Sequence, residues 1–269
     1  MKKLRRATEA EVIAEFLRNE YHHHNFEGDR EQFAPLVENP DLADVRENAI
    51  RRALFYRRRG HMWNQIPQDT AWWLVQLEDA DLDRLEVFAR THWRKIGGTS
   101  CLLRHVVKQI RTRDFRGTRV IGGTAHGGVE ISDVGDIVKG VRRLSEELRG
   151  RQDGSAIVLI GVDDQQPVSI LEGNHRLCAA LLASVEVLKS RFNVYYGESP
   201  AMAKCCWYGN PTIANMARYA IKRLKHFGNH EADLAPVLAR YQKPTTPGEG
   251  GTIWSTLGNT AGRTLSQTK

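Results

Sequence analysis

The chain contains no apolar run long enough to cross a bilayer. Its opening Met1-Lys2-Lys3-Leu4-Arg5-Arg6 is not followed by the apolar segment that a secretion signal needs. The expectation is therefore a cytoplasmic protein with no membrane partner. Cysteine is scarce. Cys101, Cys178, Cys205 and Cys206 are the four in 269 residues, and none is spaced as a Cys-x-x-Cys pair. Neighbouring Cys205 and Cys206 are badly placed to bridge each other, so reduced, buried thiols are expected rather than a disulfide framework. Gly122-Gly123-Thr124-Ala125-His126-Gly127-Gly128-Val129-Glu130 is rich in glycine but lacks the Gly-Lys-Ser/Thr ending of a P-loop, which leaves it as an active-site loop or a plain connection. The triplet His22-His23-His24 has no Cys or carboxylate at ligand spacing. Consecutive helical residues also point in different directions, so no metal site is expected there.

With 41% apolar and 26% charged residues, the composition is that of a globular protein with room for one large domain or two modest ones. Lysine and arginine exceed acids by 39 to 32, a formal charge of +7. The excess gathers at Arg51-Arg52, Arg57-Arg58-Arg59, residues 111–119 and residues 222–225. It permits a nucleic-acid partner, and equally a nucleotide pocket among ordinary solvated faces.

One stretch concentrates the chemistry. In Ile170-Leu171-Glu172-Gly173-Asn174-His175-Arg176-Leu177-Cys178-Ala179-Ala180, an apolar strand runs up to Glu172 and an apolar helix follows Arg176. Asn174 is a good N-cap, and Gly173 lets backbone approach a ligand. A helix start presents unpaired N–H groups and the positive end of the dipole, to which His175 and Arg176 add side-chain donors. Strand, glycine turn and basic first turn together read as a phosphate cradle.

Around it the pattern alternates helices and strands. Thr8-Glu9-Ala10-Glu11 matches a capping box ahead of a first helix. A second opens at Asp41, with Leu42, Val45, Ala49, Ile50 and Leu54 on its apolar face, and stops at Gly60. Residues 71–77 read as a strand that residues 85–89 pair with across an acidic turn. Trp63, Trp72, Trp73 and Trp93 are read as packing rather than as a base-stacking platform. Residues 101–113 form a basic amphipathic helix and 118–121 a strand. A helix then starts at Ser132-Asp133 and ends at Gly150, followed by a strand at 156–162. After the central turn come a strand at 192–196 and a helix beginning at Asn210-Pro211, with Ile213, Ala217, Ala220, Ile221 and Leu224 facing inward. Beyond Tyr241 few apolar residues remain, and a flexible tail is expected.

The central turn resembles the signature of the ParB/sulfiredoxin superfamily, roughly Asp/Gly-Gly-x-His/Arg-Arg ahead of an Ala-rich helix. It is similar to the Gly-Cys-His-Arg of sulfiredoxins and the Asp-Gly-His-His-Arg of free-serine kinases. The order of elements over residues 118–197 resembles that superfamily's core. The resemblance implies an α/β (α+β) fold with a ParB/sulfiredoxin-like mixed sheet and an N-terminal, mainly helical extension. The expected boundaries are 1–115 for that extension, 116–228 for the nucleotide-binding domain and 229–269 for the tail. It implies that Gly173, Asn174, His175 and Arg176 hold nucleotide phosphates. Asn174 stands where sulfiredoxins carry cysteine, so their thiol chemistry is absent.

The function so implied is a kinase that moves a phosphoryl group from ATP or ADP, with Mg²⁺, to a hydroxyl of a small metabolite or nucleoside. Such transfer needs positioning, charge stabilisation and a carboxylate to take the proton. Glu172 is the nearest acid, as acceptor-orienting group or metal ligand. Glu130 and Asp133 stand about where the kinase's catalytic acid falls, or else cap the following helix. The alternative is a ParB-like nucleotide switch, with CTP as its nucleotide, or a nuclease-like DNA-modifying protein. ParB proteins carry a helix-turn-helix after the box, however, whereas residues 211–227 supply one clear helix.

Overall fold

The computed structural model describes residues 1–88, 91–98, 100–123, 129–150 and 154–225. It is an α+β protein with a six-stranded mixed sheet. Two compact units are resolved, one of Met1–Val12 with Asn64–Lys222, the other chiefly of Ile13–Trp63. The large sheet thus draws strands from both sides of residue 116.

In chain order the elements begin with β1 (Lys2–Arg6), α1 (Glu9–Glu20), α2 (Arg30–Glu38), α3 (Val45–Trp63), β2 (Ala71–Gln76), β3 (Leu85–Glu86), α4 (Thr91–Gly97) and α5 (Leu103–Thr112). Then follow β4 (Arg119–Gly123), β5 (Val129–Asp133), α6 (Val134–Gly150), β6 (Ala156–Gly161) and β7 (Val168–Glu172). The last described elements are α7 (Asn174–Ala183), α8 (Val185–Ser190), β8 (Asn193–Glu198) and α9 (Ile213–Lys225). The sheet order is β1-β2-β8-β6-β7-β3, while β4 and β5 form a separate two-stranded sheet. Strand β6 is buried along its whole length and sits parallel to β8 and antiparallel to β7. Its continuous apolar run is what a strand covered on both faces requires. Helix α7 packs on α5 and α6, with Leu177, Cys178, Ala179 and Ala180 fully buried.

The second unit is helical. Leu17, Phe26, Phe33, Leu36, Ile50 and Leu54 form its core, and the rings of Phe16, Phe55 and Trp63 meet edge to face. Arg51, expected as part of a basic cluster, is instead 1% exposed. Its guanidinium donates to the carbonyls of Leu36 (3.0 Å) and Asp41 (2.7 Å), to Glu47 (2.7 Å) and to Asn48 (2.6 Å). Arg58 and Arg59 pair with Glu20. Arg51, Arg58 and Arg59 are thus bound to groups of their own unit.

Other expectations held. Thr8 Oγ1 accepts from the Glu11 N–H at 3.1 Å, and Trp63, Trp72 and Trp93 are buried. Three were overturned. Strand β3 pairs in parallel with β7 and not with β2. The reason is the buried carboxylate of Asp81, which accepts from the Glu78 N–H (2.8 Å), Arg84 (2.7 Å) and the Met1 amino group (2.8 Å). That knot winds residues 79–83 into a 3-10 turn and carries the chain across the sheet. Helix α3 runs past Gly60 to Trp63. Helix α9 docks by the opposite face, with Ile213 90% and Ile221 55% exposed. Its inward side is Asn215, which donates to the Ala203 carbonyl, Arg218, which donates to that of Lys204, and Tyr219, edge-on to Trp207. Specific hydrogen bonds to the carbonyls of the preceding turn outweigh the apolar stripe there. The residues expected as a tail lie outside the described residues.

Candidate phosphate-binding turn

Strand β7 ends at Glu172, and Gly173 follows in the left-handed region at φ 100°, ψ 18°. A Cβ on Gly173 would lie 2.3 Å from Ile157 Cδ1 on β6. Glycine is thus required at this position by backbone conformation and by the core beneath. Gly173 also takes the N-cap position expected for Asn174. The Leu177 N–H closes the first helical bond, to the Gly173 carbonyl at 2.8 Å. The N–H groups of Asn174, His175 and Arg176 precede it and find no acceptor among the described residues. They form the anion-receptive end of a ten-residue helix whose body is buried.

The side chains play different parts from those expected. Asn174, pushed to the first helical position, acts as a latch. Its Oδ1 accepts from the Phe88 N–H at 2.8 Å, and its Nδ2 donates to the Ile170 carbonyl at 3.3 Å. It joins the end of β3 to the start of α7, so its amide is committed to scaffold. Arg176 donates from Nη2 to Glu172 Oε1 at 3.1 Å, one turn back. An anion must share this guanidinium with Glu172, which in turn fixes where the cation sits. His175 stands beside Trp93 (5.0 Å) and His92 (5.9 Å). Its surroundings, and then the charge of Arg176, hold its basicity below that of a free imidazole. Burial thus disfavours the charged form of His175, so Arg176 is the cation of the turn. With Glu172 and Arg176 cancelling, the pull on an anion comes from three amides, the helix dipole and a shared guanidinium.

Glu130 and Asp133 are not brought to this turn by any described contact. Both lie on β5, whose sheet partner is β4, apart from the sheet that carries Glu172. Asp133 Oδ1 accepts from the Gly135 N–H at 2.6 Å at the start of α6, which is the capping role. The glycine-rich stretch is the connection of the β4–β5 hairpin, since Gly123 pairs with Val129; residues 124–128 lie outside the described residues. Among the described residues no group of three or more His, Cys, Asp or Glu is placed to hold a metal ion.

No family model matches this chain, and neither a curated protein nor a solved structure matches it. The site therefore has to be read from its own chemistry.

Two residues that bear on the turn, Phe88 and His92, and one on the strand beside it, Glu86, carry no signal in the sequence. Phe88, held by Asn174, stacks on Trp207 with ring centres 5.0 Å apart. His92, on α4, keeps a buried Nε2 without a hydrogen-bond partner among the described residues. Burial and then the neighbouring His175 push its pKa down to about 4. Glu86, on β3 beside β7, has a carboxyl made less acidic by burial. These positions lie more than 80 residues from the turn in sequence. Without the β3–β7 pairing nothing in local pattern would group them with it.

Proposed function

We propose that the β7–α7 turn binds the phosphates of ATP or ADP and that the protein is a phosphotransferase acting on a hydroxyl of a small metabolite or nucleoside. The observation that carries this reading is the trio of amides at residues 174–176, for which the described residues offer no acceptor, beside a guanidinium held in place by Glu172. Amides at a buried helix's first turn suit the non-bridging oxygens of a terminal phosphate. The resemblance of Glu-Gly-Asn-His-Arg to the ParB/sulfiredoxin turn supports the same assignment.

In this reading the acceptor hydroxyl attacks the terminal phosphorus and the bond to the leaving diphosphate or monophosphate breaks. The hydroxyl proton passes to a carboxylate. Arg176 and the amides stabilise the charge on the transferring group. Glu172, at the mouth of the turn, orients the acceptor or takes the proton, and Glu86 is a second carboxyl on the neighbouring strand. Magnesium, which usually keeps waters and leans on substrate phosphates, would arrive with the nucleotide and supply charge neutralisation.

The test is thermal stabilisation by ATP, ADP or CTP with Mg²⁺, followed by mass spectrometry of hydroxylated metabolites and nucleosides for phosphate uptake. Stabilisation by ATP or ADP that disappears in Arg176→Ala, together with a phosphorylated product, is expected. Preference for CTP without product points to a switch, and no shift with any nucleotide rejects the proposal.

A further inference from the structure

A second anion-receptive feature lies away from the α7 turn, where the end of α5 and its following loop meet the first turns of α6. A cavity of about 340 Å³ there is lined by Arg111, Arg113, Arg116, Lys139 and Arg142, against the single acid Asp114. The charge is built into the framework. Arg142 donates to the carbonyls of Ile110 (2.6 Å) and Arg113 (3.3 Å), closing the C-terminal end of α5 and fixing one wall. Phe115 is buried and anchors the loop, whose Arg113 and Arg116 line the cavity, and Gly117 takes a left-handed φ of 72° just beyond. Two of the cations are paired at the surface, Arg116 with Asp114 at 2.6 Å and Lys139 with Asp136 at 3.1 Å. Arg116 is 81% and Lys139 67% exposed, so these pairs are weak in water and readily exchanged for a phosphate.

The basic surface continues beyond the recess. Helix α5, of sequence LRHVVKQIRT, has no acid of its own and carries Lys108 and Arg111 as well as Arg104, whose exposed pair with Asp83 at 2.7 Å is exchangeable like the others. A free phosphate needs one pocket, whereas a cationic face extending along a helix from a pocket matches a repeating polyanion. Among the described residues the recess offers no exposed aromatic ring on which unpaired bases could stack. We propose that this recess and the α5 face form a docking site for the phosphodiester backbone of duplex nucleic acid, with no reading of sequence.

The test is fluorescence anisotropy of the full chain with short DNA and RNA duplexes of one sequence across a salt series. Two triple variants lower net charge equally: Arg111→Ala/Arg116→Ala/Lys139→Ala at the recess, and Lys2→Ala/Lys95→Ala/Lys204→Ala at exposed positions that do not line it. Thermal melts establish that both stay folded. The recess variant should flatten the slope of log affinity against log salt by about 2.7, close to 0.9 for each lost DNA phosphate contact. The control should keep the slope. Binding of either duplex in this pattern supports the site, and the two arms tell B-form from A-form preference. Arg176→Ala should leave duplex binding unchanged, which separates this site from the nucleotide turn. Equal losses in both triple variants, binding of free triphosphate but not duplex at the recess, or no duplex binding at low salt would each overturn the proposal.

Discussion

Replacing Gly173 by alanine separates the structural demands on the central turn. At φ 100° an L-residue meets the left-handed penalty of about 1–2 kcal/mol. The added methyl also lands 2.3 Å from Ile157 Cδ1, well inside contact distance. That atom is the free end of a side chain, so moving it costs about 1 kcal/mol, the low end for overpacking. The sum is about 2–3 kcal/mol, or a fall in Tm of roughly 4–12 °C for a unit of this size. Urea denaturation of Gly173→Ala, Ile157→Val and the double variant resolves the two parts. Ile157→Val alone costs about 0.5–1.5 kcal/mol. In the double variant the losses should fall short of additive by about 1 kcal/mol, because valine lacks the clashing Cδ1 while the backbone penalty remains. A Gly173→Ala protein within about 0.5 kcal/mol of wild type, or strictly additive losses, would refute the assignment of this glycine to packing and conformation.

Four further outcomes follow from the same geometry. Arg51→Ala should cost about 3–5 kcal/mol in urea denaturation, since it strips two buried carbonyls and Glu47 of their common donor. His92, neutral in the fold with a pKa near 4, binds its proton more readily in the unfolded chain. Its contribution is present above about pH 6.5 and is lost as pH falls towards 4; His92→Phe should therefore show a shallower decline in urea midpoint over that window than wild type does. The four cysteines are all buried, and burial makes the Cys178 thiol far less acidic, so a thiol-reactive dye should label none of them until denaturant is added. Glu172→Gln should release Arg176 to an incoming phosphate and raise ATP or ADP affinity, read by calorimetry, while phosphoryl transfer falls.

The elements that were legible in the sequence are those whose signal is local. The continuous apolar run around Ile157 and the run into Glu172 marked β6 and β7, and Thr8 marked the start of α1. Strand β1 escaped because Lys2-Lys3-Leu4-Arg5-Arg6 has no apolar alternation. It is held from outside by the bond of Lys3 to Glu198 and the stacking of Arg6 on Trp73. Helix α2 was hidden by Pro35, and α9 turned its apolar stripe outward because Asn215 and Arg218 have carbonyl partners. At the site, the chain order made the turn visible but not the partners of its side chains. That Asn174 latches Phe88, that Arg176 is shared with Glu172, and that His92 stands alongside all depend on the β3–β7 pairing. A basic residue in sequence is also not yet a basic surface. Arg51 is consumed inside its unit, whereas Arg111, Arg113 and Arg116 remain on the outside.

The most direct measurement is an amide NMR titration of the full chain with Mg²⁺–ATP and Mg²⁺–ADP. The N–H groups of Asn174, His175 and Arg176 should move downfield together, saturate with one affinity, and lose that response in Arg176→Ala. Amides at 174–176 that stay put while the nucleotide binds elsewhere, or that never respond at all, would contradict the account.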